Sequence, residues 1–319
     1  MGEILTIGEP MVVFEAQESD VDLAKAQKFQ KFSAGAELNV AIGMARLGHP
    51  VDYVSAVGDD PFGVYLRHVL RTDGVADAAL LTKPGLPTGF YLKQRVSHGD
   101  PAVAYFRQGS AAANYQPEDL QTVSLTGVRF AHLSGIFAAL SPNCLAAYRQ
   151  LNADLVYNRI PVTFDPNLRP TLWDSRAEMV RVTNDLARYG TIVMPGLSEG
   201  RTLTGKQDPE EIADFYLQRG ITTKAVVVKL GSAGAFAKLA DGRKFSVPGF
   251  TVPRVIDTVG AGDGFAVGLI SGLLEGQLLP DALQRANVIG ALAVQSPGDN
   301  DGYPTRPQLD QFYEDHRLV

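Results

Sequence analysis

Apolar positions along this chain follow two alternating rhythms. Short β-branched and aliphatic runs at Ile4–Ile7, Val51–Val57, Arg129–Leu133, Ile160–Phe164, Thr191–Val193 and Ala225–Lys229 read as strands. Between them, apolar residues recur three and four positions apart. In Glu37–Leu47 they fall at Leu38, Ala41, Ile42 and Ala45, and similar stripes occupy Phe62–Thr72, Pro142–Tyr157, Arg176–Arg188 and Pro209–Arg219. That spacing predicts helices with one buried face. Strand and helix in alternation predict an α/β fold with a mainly parallel sheet covered on both faces.

Two stretches break the alternation. Residues 11–33 and 87–109 carry strand-like alternation of polar and aromatic positions, as in GFYLKQRV and AVAYFRQG. They read as strands that leave the main body and form a small lid; an edge extension of the main sheet is the alternative. Later, Phe236–Val247 predicts a hairpin turning at Asp241-Gly242. A glycine-rich run then opens an apolar helix, Phe265–Leu274, and another follows at Pro280–Gln295. No repeat, low-complexity tract or linker interrupts the pattern, so residues 1–319 read as one domain with an inserted lid.

Composition narrows the partners. The chain is 45% apolar and 20% charged, as expected of a globular domain, and its formal net charge is −6. That balance argues against nucleic acid and anionic membranes, while leaving local anion sites open. The single cysteine, Cys144, excludes an intrachain disulfide and lies at the start of an amphipathic helix, where a buried, inert thiol is expected. Met1–Ile7 has no basic leader, and no apolar stretch reaches about 18 residues. The cytoplasm is therefore the expected compartment. The five histidines, His49, His68, His98, His132 and His316, show no ligand-like spacing, so no zinc or iron site is expected.

The chemistry concentrates in Asp257–Phe265, DTVGAGDGF. Gly260 and Gly262 let backbone N–H groups approach a ligand at the start of a helix, where unpaired N–H groups and the helix dipole favour an anion. A carboxylate beside such an anion hole, Asp263, can take the proton of an attacking hydroxyl. On residues alone, a helix-capping role for Asp263 is as good a reading. The run is neither a Walker A loop nor a GxGxxG dinucleotide fingerprint, because no Lys-Ser/Thr follows and Gly264 arrives one position early.

DTVGAGDGFAVG resembles the C-terminal signature of the ribokinase-like, or PfkB, family of carbohydrate kinases. GAELNVAIGMARLG, Gly35 to Gly48, resembles the N-terminal one. The resemblance runs from Ile4 to about Pro304, with the motifs in the expected order. It implies a three-layer α/β/α sandwich with a small β lid, and transfer of the ATP γ-phosphoryl group to a hydroxymethyl group. In that scheme Asp263 is the base, and Gly260, Ala261 and Gly262 form the anion hole. The acceptor site includes Gly35, Ala36 and Asn39. On the nucleotide side the resemblance implies Ser198, Lys229, Gly231, Ser232, Gly234, Asn287 and Gly298, although a solvated strand-end lysine accounts for Lys229 as well. Glu199 is kept where the family has Asn-x-x-Glu, while Gly196 replaces the Asn; Glu199 is expected to organise Mg²⁺ through water. Asp257 matches a position beside a monovalent cation, K⁺. A homo-oligomer is expected.

The acceptor side is more individual. Many sugar-binding members carry an Asp where Val13 stands here, so a polyol clamp has become apolar. GEPMVVF, YFRQGSA and DPNLRPTLW resemble the members that phosphorylate 2-keto-3-deoxygluconate, a sugar acid. This implies Tyr91, Tyr105, Arg107 and Arg169 on the acceptor, with Asn167 near the phosphate path. Guanidinium groups suit a carboxylate, but structural salt bridges are the alternative for both arginines. Competing readings are a neutral-sugar kinase such as a fructokinase, a non-catalytic sugar-binding relative and, most weakly, a dehydrogenase.

Overall fold

The computed structural model describes residues 2–99 and 101–316; Met1, position 100 in the second lid stretch, and 317–319 lie outside the described residues. The strands in chain order are β1 (Ile4–Ile7), β2 (Met11–Ser19), β3 (Phe29–Ala34), β4 (Val51–Gly58), β5 (Leu80–Lys83), β6 (Phe90–Arg95), β7 (Val103–Phe106), β8 (Phe130–Ser134), β9 (Val162–Asp165), β10 (Ile192–Val193), β11 (Ala225–Lys229), β12 (Ala235–Leu239) and β13 (Lys244–Val247). The helices are α1 (Ala36–Arg46), α2 (Pro61–Thr72), α3 (Gly135–Ala139), α4 (Pro142–Tyr157), α5 (Arg176–Ala187), α6 (Leu197–Thr204), α7 (Pro209–Arg219), α8 (Ala261–Leu274), α9 (Leu279–Ala293) and α10 (Arg306–His316).

The larger sheet has the order β13-β12-β11-β10-β9-β8-β1-β4-β5. From β11 to β5 every neighbouring pair is parallel, and the hairpin β12–β13 closes one edge antiparallel. Side chains alternate across it as the strand period demands. Val227 enters one core with α1, α8 and α9, while Val226 and Val228 enter the other with α4, α5 and α7. The result is the expected three layers.

The four remaining strands form a separate sheet, β3-β2-β6-β7, with β2 and β6 parallel. The lid is thus its own sheet rather than an edge extension. Three of its strands fall within the two irregular stretches, 11–33 and 87–109, and β3 overruns the first by one residue, to Ala34. The elements without a clear sequence signal are short or polar: β5, α3, α6 and α10 lack a long enough apolar period to declare themselves.

Helix α8 starts four residues earlier than its apolar stripe suggests, at Ala261 rather than Phe265. Glycine propensity argues against a helix there, yet the Gly264 N–H already donates to the Gly260 carbonyl at 2.8 Å. α8 is buried nearly all round, and a Cβ on Gly268 would come within 2.5 Å of the Ala286 Cα on α9. The missing side chain is what lets the two helices pack backbone to backbone.

Candidate active site

In open α/β sheets the crevice outside the carboxyl ends of the strands is where ligands bind. Here β9 ends on Asp165 and β11 on Lys229. The Lys229 Nζ donates to Asp165 Oδ2 at 2.5 Å. Burial alone would lower the Lys229 pKa, but the charges of Asp165 and Glu199 outweigh it and raise it, so the ammonium is secure.

α8 opens beside this pair. Gly260 is its N-cap at φ 79°, and a Cβ there would lie 1.8 Å from the Asp299 carbonyl oxygen, so only glycine fits. The first N–H groups of the helix have no partner within it and present an anion site. Asp263 does not cap the helix: its carboxylate instead accepts from Asn39 Nδ2 on α1 at 2.9 Å. Asn39 Oδ1 in turn accepts from Asn300 Nδ2 at 2.9 Å. Asp263 is 8% exposed. Burial pushes its carboxyl up to about 8; the Asn39 bond and Lys229 oppose this, and the Asp165 charge adds to it.

Two cavities meet at this point. One, of about 270 Å³, is lined by Gly35, Ala36, Asn39, Tyr91, Tyr105, Arg107, Asn167, Arg169, Glu199, Gly260 and Asp263, among others. The second, about 490 Å³ and mostly apolar, is lined by Gly231, Ser232, Gly234, Ala261, Phe265 and Asn287, with Phe250, Val252 and Val255. Lys229, Thr258 and Gly262 line both. Most of the residues singled out in the sequence line one or other of these cavities.

Four placements differ from expectation. Ser198 is an exposed residue in the first turn of α6 and lines neither cavity. Gly298 packs towards Asp301 and Phe32, against the lid rather than the apolar cavity. Val13 lies in the lid's own core with Met11, Ala34 and Tyr91, and of these four it alone is absent from the wall of the smaller cavity. Asp257, expected beside a monovalent cation, accepts from the Lys93 ammonium through Oδ2 and from the Val259 N–H through Oδ1 at 3.0 Å. An ammonium therefore already supplies this carboxylate with the positive charge that a cation would bring.

The two arginines separate. Arg107, 9% exposed, donates from Nε to Glu9 Oε2 at 2.6 Å, and Ser110 Oγ donates to Glu9 Oε1 at 2.5 Å. Its Nη2 lies against the same carboxylate oxygen and is itself buried, while the residue as a whole lines the smaller cavity. Arg107 thus forms a structural ion pair with Glu9, the alternative the sequence left open for it. Arg169 is exposed and donates to the adjacent Leu168 carbonyl at 3.2 Å; among the described residues no carboxylate pairs with it. Tyr91 is buried and donates to Asp299 Oδ2 at 3.4 Å, while Tyr105 packs against it with its ring tilted by 43° and 5.1 Å between ring centroids. Asn167 holds φ 39°, a left-handed conformation that Asn tolerates, and its N–H donates to Asp165 Oδ1 at 3.2 Å.

Glu199 accepts from the N–H groups of Leu168 at 2.7 Å and of Gly196 at 2.8 Å. Burial and the Asp165 charge raise its pKa. Among the described residues no group of three or more His, Cys, Asp or Glu is placed to hold a metal alone. A cation here would need further oxygens from a ligand, which suits Mg²⁺ arriving on a nucleotide.

Sequence reasoning missed Glu9, Glu37, Lys93, Asp165, Asp299 and Asn300. Glu37 is buried, accepts from Ser134 Oγ and is pushed up to about 7 by burial. A signal existed for the two glutamates, since each interrupts an apolar run. None existed for Asp299 or Asn300, which reach the site from a loop.

Comparison with known proteins agrees with this geometry. Residues 1–306 match the model of the pfkB family carbohydrate kinases. A 2-dehydro-3-deoxygluconokinase from Bacillus subtilis strain 168 is 42% identical over 318 residues, covering 99% of this chain and 97% of that one. The structure of a PfkB protein from Polaromonas sp. JS666 has TM-score 0.89 at 42% identity, covering 97% and 99% of the two chains. An E. coli protein described as a ribokinase II, in complex with ATP and Mg²⁺, has TM-score 0.89 at 27% identity, covering 99% and 100%. With the signatures, the three-layer sandwich and its lid, and the junction at α8 in agreement, the chain belongs to the pfkB family of carbohydrate kinases.

Proposed function

We propose that the protein transfers the γ-phosphoryl group of ATP to the terminal hydroxyl of a sugar acid of the 2-dehydro-3-deoxygluconate type. The observation that carries this is the joined pair of cavities. The smaller holds a buried carboxylate, Asp263, and a guanidinium, Arg169, that no carboxylate engages among the described residues; the larger is apolar, and both open onto the first turn of α8. The name of the B. subtilis relative supports the acceptor, and the ATP and Mg²⁺ of the E. coli neighbour support the donor.

In this reading the adenine side of ATP takes the larger cavity, with Asn287 at its wall. The Asn287 amide nitrogen is spent on the Val247 and Pro248 carbonyls, which leaves its oxygen for the base. The phosphates run over Gly231 and Ser232 to the N–H groups of α8, where Lys229 adds positive charge. Mg²⁺ on the nucleotide would neutralise phosphate charge, with Glu199 organising its waters. The sugar acid lies in the smaller cavity with its carboxylate on Arg169 and its hydroxyls towards Tyr91, Tyr105 and the wall that Arg107 shares. The hydroxyl oxygen attacks the γ-phosphorus while the bond to the bridging oxygen breaks. Asp263 takes the proton, and ADP leaves. The one cysteine, Cys144, is buried with its thiol pushed up to about 11 by burial, which suits the reducing cytoplasm.

The test is ADP release measured over a panel of 2-keto-3-deoxy sugar acids and neutral sugars. Preference for a sugar acid by about tenfold or more in kcat/KM is expected, the scale of one lost contact to the carboxylate. Preference for fructose or ribose refutes the acceptor assignment, and no turnover with any member refutes the kinase reading of these cavities.

A further inference from the structure

A lysine is seldom buried unless it is paired, and Lys93, in the middle of lid strand β6, is only 5% exposed. Its ammonium meets the Asp257 carboxylate, on the loop that leads into α8. That carboxylate also accepts the Val259 N–H at 3.0 Å and so fixes the turn before Gly260. Two positions away on the same face of β6, Tyr91 donates to Asp299 at 3.4 Å. The Asp299 carbonyl, in turn, packs on Gly260. Burial pushes the Asp299 carboxyl up to about 6, and the nearby Lys93 charge opposes that rise. One lid face therefore delivers one cation to two carboxylates that flank the anion hole. Lys93 itself lines neither cavity.

We propose that the Lys93 ammonium is a built-in substitute for a bound monovalent cation, and that it positions the Asp257–Gly260 loop for phosphoryl transfer. The chemistry matches: an ammonium is a compact, strongly hydrated point charge with several donors, and carboxylate and carbonyl oxygens would hold a free cation in the same way. The substitution has a consequence that a dissolved ion would not give. The charge travels with the lid, so the loop is ordered by the strand that also covers the acceptor. Lys93 is thus a positioning residue, acting through Asp257 on the N–H groups of α8. The inference rests on the phosphotransfer reading of the site, and its test includes a readout that needs no turnover.

The experiment compares wild type with Lys93→Met, which keeps the aliphatic stem, in KCl and in tetramethylammonium chloride at equal ionic strength. Wild type is expected to show the same kcat and the same thermal midpoint in both salts. Lys93→Met is expected to lose about 100-fold in kcat in tetramethylammonium, the scale of a misplaced catalytic group. It should recover at least about tenfold in K⁺ or NH₄⁺, and K⁺ should raise its thermal midpoint in a saturable way that wild type does not show. The proposal is overturned if wild type loses about tenfold or more without K⁺, or if its own midpoint rises with K⁺. It is equally overturned if Lys93→Met matches wild type in tetramethylammonium, or loses activity that no small cation restores. Should Lys93→Met fail to fold, the wild-type salt comparison alone decides. A chain inactive on every acceptor would sink the phosphotransfer reading, while the midpoint measurements would still judge the cation site.

Discussion

Replacing Asp263 with Asn probes chemistry and folding at once. The variant keeps the shape and can still meet the Asn39 side chain by turning its amide, but it can neither take a proton nor carry charge. Loss of a general base costs roughly 10²–10⁴-fold in rate. The stability effect has the opposite sign. Burial raises the carboxyl from 3.8 to about 8, so the folded state holds its proton more tightly than the unfolded chain. The stabilisation this gives is fully present below about pH 3.8 and is lost as pH rises through about 8. At about 1.4 kcal/mol per tenfold, the interval bounds the loss at about 6 kcal/mol, and adjustment of Lys229 and of Asn39 leaves a few kcal/mol. The amide of Asp263→Asn carries no such dependence. The variant should therefore gain on wild type as pH rises from about 5 to about 9 in thermal or urea unfolding, while ADP release stays low throughout. The wild-type kcat/KM should climb about tenfold per pH unit below about 8, because the base works only when ionised. Turnover near wild type in the variant, or a stability difference that ignores pH, would falsify the assignment of a buried base.

Three further outcomes follow from the same contacts. Arg169→Ala should cost about 10- to 200-fold in kcat/KM for the sugar acid, the worth of one charge-assisted bond, and much less for a neutral sugar; equal losses on both acceptors would make Arg169 structural. Glu9→Gln leaves the Arg107 charge buried without its partner and should lower stability by about 3–5 kcal/mol in urea unfolding. Gly268→Ala sets a methyl group against the backbone of Ala286 and should cost about 1–3 kcal/mol by the same measurement.

Much of this is legible in the sequence because its physics is periodic or local. Strands β1, β4 and β11 are apolar runs, and α4 can be read to its ends because a Ser-Pro start and a steady stripe define it. The run around Gly260 declares an anion site through glycine spacing and helix onset, and the family signatures supply the role of Asp263. What stays hidden depends on distance in the chain. Nothing near Lys93 announces that Asp257, 164 residues on, is its partner. Glu9 and Arg107, 98 residues apart, form a pair that changes the meaning of the arginine. The expectations for Ser198 and Gly298 rest on position in a motif, and a motif does not say which way a loop leans.

The glycine-pinned contact between α8 and α9 also sets when activity fails on heating. Asp263 is on the first turn of a helix that is buried nearly all round, so beyond that cavity-facing turn its hydrogen-bonded amides can exchange with deuterium only when much of the core opens. The lid offers the contrary case, with Val103, Tyr105 and Phe106 exposed on its outer strand. Exchange should therefore be fast and local along β7 and slow and global along α8 beyond its first turn. The helix that carries the base holds until the core itself melts, so loss of that support and loss of the fold are one event on a thermal scan.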